Sequence, residues 1–290
     1  DRFDISQSPA DLNLYEGDWK NYYAGVYRCN ELIAHEEQIV WNESDSKRGI
    51  YMGECRTLRA LLYLDMVRLW GNIPLFLEPV NENRAPSPAK EVFSAIFTDL
   101  KYAIENIPGD AYPKADYTKN DGHITKYAAE ALLARAYLFL YRILRCKNLV
   151  EVTRAEALAA VEDVIASGEY GLVPQFKNLW PASSAKVAEK GDYETLKGTY
   201  AGDGNKETIL ALKFTATQDY NGNNDSNRWQ VMLGMRQLNA APYCKGWGAL
   251  TVNPDFVEAF PTGDLRRSAS IIDLVGEGIT GSADFTTSFN

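Results

Sequence analysis

Between Glu54 and Trp70 the chain places Leu58, Leu61, Leu62, Leu64, Met66, Val67 and Leu69 on more than one helical face. A helix with a single apolar stripe lies on a surface, whereas one that is apolar on several faces must be enclosed by neighbours. The segment therefore predicts layered helices with this one sandwiched among them. It is stopped by Gly71-Asn72-Ile73-Pro74, a glycine that ends a helix followed closely by a proline that cannot continue one.

Neighbours for it are legible on both sides. Residues 18–36 carry Trp19, Tyr22, Tyr23, Val26, Asn30 and Ile33 at three- and four-residue spacing, with Asp18 as the expected N-cap. A third helix is expected to be capped by Ser87, with Pro88 in its first position. Phe93, Ile96, Phe97, Leu100, Ala103, Ile104 and Ile107 form its stripe, and Pro108-Gly109 ends it. A fourth runs from Lys126 to Cys146, where Ala128, Ala129, Ala131, Ala134 and Ala136 let a partner helix approach closely. The fifth opens at Thr153-Arg154-Ala155-Glu156, a capping box, and continues through Leu158, Val161, Val164 and Ile165 to Gly168. Successive helices of this length suggest a helical-repeat solenoid of tetratricopeptide (TPR) type, with Ala60 and Pro74 as remnants of that signature.

After residue 170 the periodicity fades and Gly, Asn, Ser and Thr become frequent; only Thr208 to Thr215 reads as a strand. The expected class is mainly α. Residues 1–170 form a TPR-like scaffold, and residues 171–290 form a loop-rich part with a few short strands, packed on it and carrying the function.

Several classes are excluded. With 39 acidic against 30 basic residues, a net charge of −9, the chain lacks the basic surface that nucleic acid requires. No apolar run approaches the length of a membrane span. The N-terminal Asp-Arg-Phe-Asp does not read as a signal peptide. Cys29, Cys55, Cys146 and Cys244 include no CxxC pair, so they are expected to be small buried hydrophobes rather than zinc ligands or a disulfide framework.

Motifs with a known chemistry fail on context. Gly276-Glu277-Gly278-Ile279-Thr280-Gly281 matches GxGxxG, but too few residues follow for the helix and second strand of a dinucleotide site, so a glycine-rich turn is expected. Asp219, Asn221, Asn223 and Asp225 alternate like the start of an EF-hand loop. Its sixth position is Asn224 and its twelfth is Gln230, so the bidentate glutamate is missing and a polar turn is the default. His35 lies at a helix end beside Glu36 and Glu37, and His123 precedes a helix. Neither has a ligand or orienting carboxylate at a telling distance in sequence, so no nucleophile system and no cofactor are expected.

The remaining signal is aromatic, with 17 Tyr, 11 Phe and 6 Trp. Trp19, Tyr22, Tyr63 and Phe139 fit the helix core. Trp41, Trp180, Tyr220, Trp229 and Trp247 lie outside any periodic pattern. An exposed ring beside amides and an arginine suits a sugar, whose CH face packs on the ring while polar side chains bond its hydroxyls. The expected ligand-binding residues are therefore Trp41, Tyr220, Asn223, Asn224, Arg228, Trp229 and Trp247.

The stretch Gly53-Glu54-Cys55-Arg56-Thr57-Leu58-Arg59-Ala60-Leu61, followed by Tyr63 and Val67-Arg68-Leu69-Trp70-Gly71-Asn72-Ile73-Pro74-Leu75, resembles the signature of the SusD/RagB family. Three further pieces agree in order: Trp19 to Asn30, Ile124 to Leu138, and Gly246-Trp247-Gly248 before Asn253-Pro254 and Asp264-Leu265-Arg266. The resemblance implies a surface lipoprotein of the outer membrane, on a TPR-like scaffold, that binds glycan without chemistry of its own. It would deliver that glycan to a SusC-like, TonB-dependent transporter. It also implies a lipid anchor and a longer C-terminus than this chain shows. Arg56, Arg59 and Arg68 are expected to bridge helices, and Gly246-Trp247-Gly248 to fix a loop. Two rivals remain: a protein-interaction scaffold whose TPR-like groove takes a peptide or the transporter, and a helical glycoside hydrolase.

Overall fold

Each of the five helical segments is a helix in the computed structural model, which describes residues 15–42, 47–116, 122–142, 151–185, 199–214, 232–236, 238, 243, 245–249 and 251–279. The chain separates into two compact units, residues 1–170 and 171–290. In the first, α1 (Glu16–Ala34) leads through a 3-10 turn to α2 (Lys47–Trp70), followed by α3 (Ala89–Asn106), α4 (Lys126–Arg142) and α5 (Arg154–Ala166). Each packs on the one before it. Gly25 meets Leu62 across α1 and α2, while Gly49 and Gly53 meet Asn106 and Ile107 across α2 and α3, so these neighbours run antiparallel. The fold is mainly α, and this succession is consistent with a TPR-like repeat. The core lies where Phe93, Ile96, Phe97 and Leu100 of α3 meet Tyr63, Met66 and Val67 of α2 and Ala129, Leu132 and Ala136 of α4.

Helix ends set by local chemistry are where the sequence puts them. Thr153 accepts from Glu156 N–H at 3.2 Å while the Glu156 carboxylate accepts from Thr153 N–H at 2.6 Å, a complete capping box. Gly71, at φ +72°, closes α2 by donating to Val67 O. Other ends differ. Helix α1 starts at Glu16, so Asp18 sits in its first turn instead of capping it. Helix α3 starts at Ala89, and its cap is Asn72 Oδ1, which accepts from Ala89 N–H at 3.0 Å; Ser87 instead pairs its backbone with Ile73.

A buried polar junction joins three helices. Arg59 of α2 donates from Nε and Nη2 to the two oxygens of Asp99 of α3 at 2.8 and 2.7 Å, and from Nη1 to Asn30 Oδ1 of α1 at 2.7 Å. Arg56 adds a contact to Asp99 at 3.2 Å and stacks over Tyr102. Asn30 donates to the carbonyls of Phe76 and Glu78, the Tyr63 hydroxyl bonds both Phe76 O and Phe76 N, and Tyr23 bonds Pro74 O. The strand-like segment after α2 is thereby fastened back over α1 and α2. Arg68 differs: it pairs with Asp65 on its own helix and reaches α4 through the Phe139 ring.

Between α4 and α5, Lys126 Nζ lies 2.6 Å from Asp163 and 3.5 Å from Glu130. Burial, and then Asp163, raise the Glu130 carboxyl from 4.5 to about 7. The folded state thus keeps a proton that an unfolded chain has lost.

The second unit holds a 3-10 turn (Phe176–Leu179), α6 (Pro181–Ala185), strands β1 (Met235–Arg236) and β2 (Lys245–Gly246), α7 (Pro254–Glu258) and α8 (Leu265–Ser270). Residues 208–214 are not a strand, in contrast to the sequence pattern; Thr208 N bonds Asn205 O in a turn. Strands β1 and β2 pair in parallel.

Replacing Asp99 by asparagine keeps its shape and removes the charge that two arginines face. The expected cost is about 3–5 kcal/mol in urea denaturation. The Glu130 contribution is fully present below its unfolded value of 4.5 and is lost as pH rises through about 7. Wild-type stability should therefore fall between about pH 4.5 and pH 7, by up to roughly 3 kcal/mol from this group, and level off above that. Glu130→Gln should flatten that slope in thermal melts.

Candidate ligand-binding site

Of the seven residues expected to bind ligand, Trp41 and Trp247 are within the described residues, the first in unit one and the second in unit two. Tyr220, Asn223, Asn224, Arg228 and Trp229 lie outside them, as does the EF-hand-like run ending at Gln230.

Trp247 owes its position to glycine. Strand β2 runs so close to the segment before β1 that a Cβ on Gly246 would meet Gly234 Cα at 2.4 Å. Only hydrogen fits at position 246. Gly248 turns with φ +56° and donates to Gly234 O at 2.8 Å, and Ala249 donates to Met232 O at 2.8 Å. Arg236 Nε holds the Trp247 carbonyl at 3.0 Å. The backbone on both sides of the tryptophan is thus pinned while the residue is 56% exposed. Among the described residues no aromatic ring packs against it. An apolar plane held rigid in water has little conformational entropy to lose when a flat apolar face settles on it.

Trp41 is placed differently. Its indole N–H donates to Glu36 O at 2.9 Å, and the ring is half-buried. Arg48 pairs with Glu36 at 2.8 Å and also reaches Glu37, so the cation nearest this turn is already engaged by carboxylates. Trp180 is 43% exposed and meets Phe176 edge to face at 4.8 Å, on a turn whose carbonyls accept from the buried Ser183 and Ser184 hydroxyls. That partner ring has no sequence signature beyond its spacing.

Sequence spacing also missed the partner of His123. Glu54, 69 residues earlier, places its carboxylate 3.1 and 3.2 Å from His123 Nδ1 and accepts from the Tyr112 hydroxyl at 2.6 Å and from Ile124 N–H at 3.2 Å. His123 stacks on Tyr112 at 4.1 Å. Burial and then Glu54 push the Tyr112 hydroxyl well above its ordinary value, so it remains a donor. The cluster ties the connector between α3 and α4 to α2. The described part of the GxGxxG segment is a turn: Asp273 Oδ1 accepts from Gly276 N–H, and Gly278 has φ +63°; Thr280 and Gly281 lie outside the described residues. Among the described residues no group of three or more His, Cys, Asp or Glu is placed to hold a metal ion, and no helix is long and apolar enough to cross a membrane.

Residues 5–138 match the SusD-like family described as "Starch-binding associating with outer membrane". The matched span holds the Gly53–Leu75 signature. A curated relative, SusD-like protein P25 of Formosa agariphila, is 24% identical over 93% of this chain and 52% of its own length. Among solved structures, surface glycan-binding protein A from Bacteroides fluxus superposes with a TM-score of 0.70 at 24% identity, covering 90% of this chain and 50% of that one. Surface glycan-binding protein A from Bacteroides thetaiotaomicron, in complex with laminarihexaose, gives 0.65 at 20% identity over 86% and 47%. These likenesses establish the fold. The chain spans about half the length, or less, of the curated relatives it matches.

If glycine at 246 serves close backbone approach and Trp247 serves the solvent face, the two respond oppositely to alanine. Gly246→Ala should lower stability by about 2 kcal/mol or more, because the new Cβ must displace backbone. Trp247→Ala should stay within about 0.5 kcal/mol of wild type. Paired thermal melts check both.

Proposed function

We propose that the protein binds glycan at the cell surface without chemistry of its own and passes it to a SusC-like, TonB-dependent transporter of the outer membrane. The observation that carries this reading is Trp247: a solvent-facing indole on a backbone clamped by Gly234, Gly246 and Gly248. Such a ring offers a pyranose a ready stacking plane, while amides orient the hydroxyls. In this reading Tyr220, Asn223, Asn224, Arg228 and Trp229 complete the surface, Trp41 contributes a further ring, and residues 171–290 are the ligand-binding part. The family description supports the starch- or glycan-binding class and the outer-membrane setting. The laminarihexaose held by a structural relative supports an oligosaccharide as ligand. Membrane association would come from a lipid anchor, and neither cofactor nor metal takes part.

The test is affinity electrophoresis and calorimetry across a polysaccharide panel that includes laminarin and starch. Trp247→Ala should weaken binding about tenfold, the loss of one stacked ring at roughly 1.4 kcal/mol. Trp229→Ala and Tyr220→Ala should each weaken it as well. Wild-type affinity in all three variants would remove the aromatic surface from the site. One observation favours the rival scaffold reading: Leu158, Val161 and Ile165 leave an exposed apolar stripe on α5. That reading requires capture of a protein partner without carbohydrate, abolished by Leu158→Glu and Ile165→Glu.

A further inference from the structure

Cys29 of α1 and Cys55 of α2 are both buried, 26 residues apart in sequence, and Cys55 Sγ lies 3.6 Å from the carbonyl oxygen of Cys29. Two contacts set how near the helices come. One turn earlier on α1, Gly25 lacks the Cβ that would sit 2.8 Å from Leu62 Cδ1. One residue later, Asn30 Oδ1 accepts from Arg59 Nη1 at 2.7 Å. The cysteines therefore lie between a point of close backbone approach and a fixed hydrogen bond. Their thiols also interact with each other. The hydrogen bond from Cys55 holds the Cys29 thiol below its ordinary value, and the same bond with burial pushes Cys55 far up. Arg59 and Asp99 are the charged groups beside them, the first favouring the Cys29 thiolate and the second opposing it.

We propose that Cys29 and Cys55 form a disulfide that staples α1 to α2 when the chain folds in an oxidising compartment. The oxidant is a disulfide, either a small one such as oxidised glutathione or a protein donor. The Cys29 thiolate attacks one donor sulfur, the donor S–S bond breaks, and one thiolate leaves. Cys55 gives its proton to solvent and attacks the Cys29 sulfur of the mixed disulfide, expelling the second thiolate. The pair loses two protons and two electrons, and the donor gains them as two thiols. Because both sulfurs are buried in the folded chain, exchange proceeds during folding or through local opening of α1. The crosslink encloses residues 30–54, the segment that carries Trp41, and so restricts the unfolded chain around one of the proposed ligand-facing rings.

The test refolds the full chain in a mixture of oxidised and reduced glutathione, alkylates it with iodoacetamide and digests it with trypsin. Cleavage isolates Cys29 in residues 29–47 and Cys55 in residues 49–56, apart from the peptides of Cys146 and Cys244. The expected product is 29–47 joined to 49–56, two hydrogen masses below their sum and separated by reduction. Its appearance should accompany a rise of several degrees in the melting midpoint, and Cys55→Ala should fold yet lose both the linked peptide and the rise. Recovery of Cys29 and Cys55 as alkylated peptides after oxidative refolding overturns the proposal. So does linkage of either to Cys146 or Cys244.

Discussion

The Arg59–Asp99 pair is the contact on which the first unit depends. Removing two charges from water costs several kcal/mol per ion, and the cost is recovered only where the geometry is good and the remaining donors are used. Here Arg59 meets Asp99 with both faces of its fork and spends its remaining nitrogen on Asn30, which in turn holds the carbonyls of Phe76 and Glu78. Although burial works against the cation, Asp99 keeps Arg59 charged. A cluster of leucines could fill the same volume with similar stability. It would leave three apolar helices free to slide, because dispersion has no direction. The junction supplies direction: one residue each on α1, α2 and α3 meet at a single point, and the chain after α2 is tied to the same point. We read it as a registry device rather than a source of net stability.

That distinction explains which parts of the fold were legible in the sequence. Features whose cause lies within four residues were readable: the Thr153–Glu156 box, the Gly71 stop, and the several apolar faces of α2. Features whose cause lies elsewhere in the chain were not. The cap of α3 is Asn72, 17 residues before Ala89, so the local Ser87-Pro88 pattern pointed to the wrong acceptor. Helix α2 begins at Lys47, well before Glu54, because Gly49 and Gly53 pack against Asn106 and Ile107 of α3 and so bury a turn that carries little apolar signal of its own. Residues 208–214 read as a strand in the sequence, but the chain turns at Thr208, whose N–H donates to Asn205 O, and a strand is defined by the ladder it joins, which a local pattern does not show.

The candidate site divides the same way. The Gly246-Trp247-Gly248 motif was visible as a pattern, with its tryptophan outside any periodic stripe. What sequence spacing could not show is that the backbone of Gly234 lies opposite Gly246, so close that no Cβ fits at 246. Glu54 is a parallel case: it stands in the Gly53-Glu54 signature, but its partners Tyr112, His123 and Ile124 come from a connector about 60–70 residues away.

The contrast between rings in the two settings strengthens the case for Trp247. In the helical unit aromatic side chains finish one another: Trp19 lies 4.9 Å from Tyr23 and 5.1 Å from Trp70, and Tyr22 meets Trp70 at 5.9 Å. Their apolar surface is used in packing and their polar tips find carbonyls, as the Tyr23 hydroxyl finds Pro74 O. A tryptophan that only anchored a loop would be expected to turn its plane the same way, inward against carbon. Trp247 instead keeps most of its ring in water on a segment whose backbone is tied by Gly248, Ala249 and Arg236. Loop anchoring therefore does not need the indole, because hydrogen bonds already supply it. An apolar plane left wet on a rigid support raises the free energy of the isolated molecule, and the natural way to lower it is a ligand with a matching apolar face.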